Sequence, residues 1–273
     1  MTDHSNQELI NDILGQLSHL IRESMSNMHA GLRIVAPDQA RDANSELDEG
    51  AAILNLEFNR LHRLAANLAE AEKLNAPPCP PTGNDDIVGL CRRVAEESII
   101  AAQLLNMELE FKSERSSYII AVDSERIRRL LNNLLSNAFK FTEKGGKITI
   151  EVRITHSQVE LRVSDTGCGI APERMNTLFE PYRKGEHPDG SGRKFGLGLP
   201  ICRKIAQDHG GTLVILSEAG KGTCAVATLA NRKTDTVAAE TFLPMDYSGG
   251  FNRTLLELSD ALPAKAFRNN MID

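Results

Sequence analysis

The sequence predicts an α+β protein in which an antiparallel helical hairpin precedes an α/β sandwich. Three observations predict it. Two long N-terminal stretches carry apolar residues at helical spacing. A proline-rich run, NAPPCPPTGN over 75–84, follows them. Beyond it, short strand-like runs interleave with helical ones, as in a sheet with helices packed on one face.

Residues Asn6 to about Val35 read as one amphipathic helix, with Ile10, Leu14, Leu17, Ile21 and Met28 marking a seam interrupted at Ser24. Ala36-Pro37-Asp38 breaks it, because a residue before proline resists the helical region. A second helix is expected from about Ala43 to Leu74, with Leu54, Phe58, Leu61, Leu64 and Leu68 on its inner face. A short turn between them makes an antiparallel hairpin. A lone hairpin cannot bury both seams, so a second copy is expected to complete a four-helix bundle, giving a homodimer. The expected division is a helical domain over 1–76, a stiff linker over 77–84, a second domain over 85–230 and a tail over 231–273.

In the second domain, Asp85 to Asn106 is an amphipathic helix with Ile87, Leu90, Cys91, Val94 and Ile99 facing in. Strands are expected near Glu108–Lys112 and Tyr118–Val122, and Asp123-Ser124-Glu125 opens a further helix. Gly145-Gly146 turns into a strand over Lys147–Ile154, whose hairpin partner is Gln158–Ser164. Thr212–Ser217 and Thr223–Leu229 finish the pattern. In the tail, Phe251, Leu255, Leu258 and Leu262 make a short amphipathic helix stopped by Pro263. Whether it docks on its own domain, binds a partner or has no specific role is open.

Composition excludes several classes. The 273 residues carry a net charge of −6 with 41% hydrophobic and 25% charged residues, an ordinary soluble balance. Acidity argues against nonspecific nucleic-acid binding, which needs basic surface. No apolar run nears the ~18 residues of a membrane helix, and the polar start, MTDHSNQELIND, does not read as a signal peptide. The five cysteines (Cys79, Cys91, Cys168, Cys202, Cys224) are scattered without a CxxC pair and fit reduced thiols in a cytoplasmic protein.

The chemistry is concentrated around NLLSNAFKFT, Asn133 to Thr142. Leu130, Leu134, Leu135 and Ala138 recur at helical spacing. Asn133 and Asn137 stack on one face, and Lys140 follows one turn later. Two amides and an ammonium suit a magnesium ion and a polyphosphate, since magnesium binds through a few protein groups plus substrate phosphates. Three glycine-containing segments come next: Asp165-Thr166-Gly167-Cys168-Gly169-Ile170, Gly196-Leu197-Gly198-Leu199-Pro200-Ile201 and Gly220-Lys221-Gly222-Thr223. Backbone N–H groups can approach phosphates closely only where Cβ is missing. Gly196 and Gly198 also precede a helix, whose N-terminus attracts anions.

In this order, with Leu178-Phe179-Glu180-Pro181-Tyr182 between the first two segments and His209-Gly210-Gly211 after them, the chain resembles the Bergerat-type ATP-binding domain of sensor histidine kinases. That domain belongs to the superfamily shared with type II topoisomerases, MutL and the large heat-shock chaperone. The resemblance covers roughly Asp85 to Ala230. It implies that Asp165 recognises adenine, with Gly167 and Gly169 shaping the pocket. It further implies that Asn137 holds Mg2+ with Asn133 in support, that Lys140 contacts phosphate, and that Gly196, Leu197, Gly198 and Thr223 complete the ATP site. Phe179 and the stretch Arg183 to Phe195 would form a lid, in which Lys194 stands where the family often has glycine.

The hairpin would carry the phosphoacceptor. Ser18-His19-Leu20-Ile21-Arg22-Glu23-Ser24-Met25 aligns with the family pattern Ser-His-Glu-Leu-Arg-Thr-Pro-Leu. His19 lies ~200° around the helix from the Leu17/Ile21 seam, free to meet a kinase domain. Leu20 replaces the acid, and Glu23, one turn on, is its candidate substitute. The expectation is a dimeric, cytoplasmic histidine kinase that takes phosphate from ATP onto His19 and passes it to a response-regulator receiver domain. Its signal would arrive through a separate sensor protein or the N-terminal helices. The competing expectation is a nucleotide-binding pseudokinase or scaffold that docks on other two-component proteins without autophosphorylation.

Overall fold

The structure is a computed structural model that describes residues 2–181, 196–235 and 253–269. They divide into two units, one formed by 1–76 with 245–273 and the other by 77–244.

The helical unit is built on α1 (Thr2–Val35), α2 (Asp38–Ala43) and α3 (Ser45–Ala71). The second helix, expected from about Ala43 to Leu74, is α3, and the short α2 lies before it where only a turn was expected. Asn44 separates the two as an N-cap, its side-chain oxygen accepting from the Glu46 and Leu47 amides, a role that suits asparagine better than a helix interior. The expected seam also divides. Phe58 and Leu68 are buried, but Leu17, Met28, Leu54 and Leu61 are exposed. What lies between α1 and α3 includes Ser18, Met25 and Ala65, with Phe58 edge-on to His29. The Ser18 hydroxyl donates to the Ala65 carbonyl at 2.8 Å, a close approach that small residues allow. A wide apolar stripe therefore has an inner edge used within the hairpin and an outer edge left bare.

The C-terminal segment belongs to this unit. A helix over Arg253–Leu258 and a 3-10 turn over Ala264–Phe267 pack on α3, burying Leu255, Leu256, Leu258, Leu262 and Phe267. Arg41 ties them down, donating to Asp48 Oδ1 at 2.8 Å and to the Phe267 carbonyl at 2.9 Å. Arg63 pairs with Asp260 at 3.1 Å.

The second unit contains β1 (Asn84–Asp86), α4 (Ile87–Leu104), β2 (Glu108–Ser113), β3 (Ile119–Ala121), α5 (Ser124–Phe141), β4 (Lys147–Ile154), β5 (Gln158–Asp165), α6 (Pro172–Met175), α7 (Gly198–Asp208), β6 (Leu213–Glu218) and β7 (Gly222–Ala230). The main sheet has the order β2-β4-β5-β7-β6, with β2 parallel to β4 and the other pairs antiparallel. Strand alternation sets its two faces. Ile148, Ile150, Val152, Val159, Leu161 and Val163 are buried on the face that meets α4, α5 and α7. The opposite face carries ion pairs such as Lys147–Glu108 and Arg162–Glu160. Two pieces were not foreseen: β1, which pairs with β3, and the single turn of α6.

The proline-rich stretch, expected as a linker, packs on this unit at the C-terminal end of α7. The Cys79 amide donates to Asp208 Oδ1 at 3.0 Å, and Lys204 Nζ reaches the Pro77 carbonyl and Asp208. Arg126 at the start of α5 joins them at 2.5 Å. Burial alone would raise the Asp208 carboxyl, but the hydrogen bonds from Lys204, Cys79 and Arg126 outweigh it and hold it below its usual value. Next to it, His209 is buried and takes the Asp123 amide on Nε2 while Nδ1 faces the Ile205 carbonyl. With one nitrogen accepting and the other donating, the ring is neutral, and burial holds its pKa down. Gly210 then turns at φ +75°, and a side chain on Gly211 would collide with the Thr228 carbonyl. These contacts account for His-Gly-Gly at this point.

Candidate nucleotide site

The site grows from α5. Asp123 caps the helix by accepting from the Arg126 amide, and its apolar stripe is buried against α7 and the sheet. Asn133 on the α7 side is buried, with its side-chain oxygen 3.7 Å from where a Cβ on Gly198 would stand. Asn137, one turn on, is half-buried. Lys140 closes the helix with its ammonium 5.7 Å from the Phe141 ring centroid.

The C-terminal end of α5 meets the first glycine segment. The Cys168 amide donates to the Phe141 carbonyl at 3.1 Å, and a side chain on Gly167 would overlap that carbonyl. Gly169 sits at φ +66° directly against the Glu218 backbone. Only glycine suits both positions. Asp165, the last residue of β5, is placed by the sheet. Its Oδ1 accepts from the Gly167 amide at 2.9 Å and the Thr223 amide at 3.2 Å. Burial pushes its carboxyl above the usual value, and those two amides pull it partly back. One oxygen is thus committed to the backbone, and Oδ2 is left for a ligand.

The second segment joins from the other side. Gly196 turns at φ +61°, and the buried Leu197 caps α7, whose first residue is Gly198. Phe179 lies on α7 through Arg203, whose guanidinium stands 4.9 Å from its ring centroid. The structure therefore brings together Asp165, Gly167 and Thr223 by hydrogen bonds, Gly169 by packing against β6, and Asn133 with Gly198 across α5 and α7. The lid residues Arg183 to Phe195, Lys194 among them, lie outside the described residues. His19 is exposed and belongs to the helical unit. Sequence reasoning missed Ser217, whose hydroxyl touches Ile170, Gly222 and Thr223. Its signal was available only from strand register.

Residues 122–233 match the family of histidine kinase-, DNA gyrase B-, and HSP90-like ATPases. This segment belongs to that ATPase family. The likeness runs beyond the ATPase domain. Sensor protein SrrB of Staphylococcus aureus is 28% identical over 227 residues, 81% of this chain and 38% of SrrB, so the chain spans about two fifths of the length of the curated relatives it matches. Among solved structures, full-length ShkA in complex with AMPPNP is 25% identical with a TM-score of 0.61, covering 83% of this chain and 47% of ShkA. Histidine kinase ThkA in complex with response regulator TrrA shares the fold at 21% identity and a TM-score of 0.55, over 84% of this chain and 64% of ThkA. The α+β architecture of helices followed by a mixed-sheet ATPase domain is that of histidine kinase structures. Among the described residues, no helix is long and apolar enough to cross a membrane.

Proposed function

We propose that this chain is a protein histidine kinase that takes the terminal phosphoryl group of ATP onto His19 and delivers it to an aspartate of a response-regulator receiver domain. The observation that carries the ATP reading is the Asp165 carboxylate. It is held by two backbone amides and presents one free acceptor at a glycine-lined corner beside the asparagine helix. The similarity to ShkA, seen with an ATP analogue, supports the same ligand here.

Asn137 and Asn133 would hold magnesium. The donor set fits: the side-chain amides offer hard oxygen ligands, and magnesium usually binds through a few protein groups plus substrate phosphates and waters. When bound it would neutralise charge on the phosphates. Lys140 would contact phosphate, and the N-terminus of α7 would meet it with Leu197, Gly198 and their neighbours' amides.

On the acceptor side, an imidazole nitrogen of His19 bonds to the γ-phosphorus as the bond to the bridging oxygen breaks and ADP leaves. Such transfer depends chiefly on positioning and electrostatics, and the attacking ring must be neutral. The other hairpin histidines with described side chains suit the role less well. His29 packs edge-on against Phe58, with ring centroids 6.1 Å apart, and His62 is half-buried. Incubation with γ-labelled ATP tests the proposal. Label that survives alkali and is lost in acid is expected, and normal ATP binding without any label would sink the kinase reading.

The homodimer is proposed on the outer edge of the hairpin. Ile13, Leu17 and Met28 on α1 and Ile53, Leu54 and Leu61 on α3 are all exposed, more apolar surface than isolated side chains require. Leu17→Glu or Leu61→Glu would place an unpaired charge in that interface at a cost of several kcal/mol. Because both residues are exposed on the single chain, its own fold should survive. Sedimentation should then give monomers at concentrations where the unmutated chain is dimeric; dimers of undiminished strength would rule out this surface.

A further inference from the structure

Strand register places Ile148, Asp165, Thr223 and Ser217 in one row across β4, β5, β7 and β6. Directly opposed residues share a face, so the row forms the end of the helix-covered side of the sheet. Asp165 is the recognition carboxylate of the site described above, and Ser217 is two strands away from it. We infer that Ser217 is a positioning residue that makes this corner specific for a ligand edge carrying an amino group, acting through Thr223. The inference rests on reading the site as an ATP site.

The argument follows from counting protons. A serine hydroxyl has one proton and two lone pairs. Ser217 Oγ lies 2.9 Å from the Gly222 carbonyl, 2.9 Å from the Ile170 amide nitrogen and 3.0 Å from Thr223 Oγ1. The carbonyl can only accept and the amide can only donate. Ser217 therefore gives its proton to Gly222 and accepts from Ile170. If that proton turned to Thr223 instead, two oxygens would face each other without a hydrogen between them. The second lone pair of Ser217 meets the Thr223 hydroxyl, which must then donate.

Thr223 Oγ1 is left as an acceptor. On the neighbouring strand its register partner Asp165 also offers an acceptor, Oδ2, because Oδ1 is occupied by the Gly167 and Thr223 amides. Two acceptors at one corner favour a ligand edge with donor N–H groups, as the exocyclic amino group of adenine supplies, and oppose a carbonyl there. Ser217 also ties the Ile170 end of the Asp165 loop to the Gly222–Thr223 turn. Gly222 itself runs at φ +91° against the Asp165 backbone.

The test uses the full chain and two nucleotides, ATP and purine riboside triphosphate, whose 6-amino group is replaced by hydrogen. Calorimetric affinities are measured for the unmutated protein, Ser217→Ala and Ser217→Thr. The unmutated protein should prefer ATP. Ser217→Ala frees the Thr223 proton and leaves half-buried partners unmet, and should weaken ATP about tenfold. It should change purine riboside triphosphate by no more than about twofold, the error expected of independent sites. Ser217→Thr keeps the hydroxyl on a residue suited to a strand and should restore the preference. Equal losses for both nucleotides, or no loss for ATP, would overturn the inference while leaving ATP binding intact. An unmutated protein that binds neither nucleotide would overturn the ATP reading along with it.

Discussion

His19→Ala protein should carry no acid-labile label after incubation with γ-labelled ATP, because the substitution removes the nucleophile that receives the phosphoryl group. Its ATP affinity should match that of the unmutated chain, because His19 is in the helical unit and the nucleotide groups are in the other. His29→Ala should leave labelling unchanged. A neighbouring variant then separates the nucleophile from its assistance. Leu20 is 59% exposed and offers no carboxylate to orient the imidazole, so proton handling falls to water or to the exposed Glu23. Leu20→Glu should raise the labelling rate if the missing acid is the limitation. Full labelling of His19→Ala would mean that another histidine is the acceptor.

Asn137→Asp is expected to lower turnover by at least about 100-fold, the scale of removing one preorganised electrostatic group. The change is isosteric, and Asn137 is half-buried on a helix whose apolar side is unaffected, so thermal unfolding should stay close to that of the unmutated protein. What changes is charge: a carboxylate replaces an amide where phosphates and magnesium meet. Nucleotide affinity by calorimetry and turnover by product release measure the outcome. A variant that turns over normally would remove Asn137 from the site.

Much of this was legible in the sequence where one rule controlled the outcome. Lys147–Ile154 and Gln158–Asp165 alternate because one face of their sheet is buried and the other charged, and their limits lie within a residue of those expected. The glycine segments were legible because Gly167, Gly169 and Gly222 answer to close backbone approach or positive φ. The parts that were hidden depend on partners distant in sequence. The periodicity of α1 and α3 gives an apolar stripe but cannot tell its inner edge, at Ser18 and Ala65, from its outer edge, at Leu17 and Leu61. The three residues of β1 are too few to alternate. Ser217 looks like any strand serine until register sets it beside Thr223. The tail helix was visible from its leucines, but its docking on α3 depends on Arg41 reaching Phe267, 226 residues away.

That last contact bears on how the chain reaches its native state. The helical unit is discontinuous, with the ATPase domain inserted between its first 76 residues and its closing segment. During synthesis the inserted domain has its described strands once residue 230 has emerged, whereas the hairpin lacks Phe267 until later. Closing so long a loop carries an entropic cost that grows only slowly with length, but non-local pairing of this kind slows folding. The domain that comes second in the sequence is therefore able to fold first, and the face of α3 that the closing segment covers stays bare until residues 253–269 have been made.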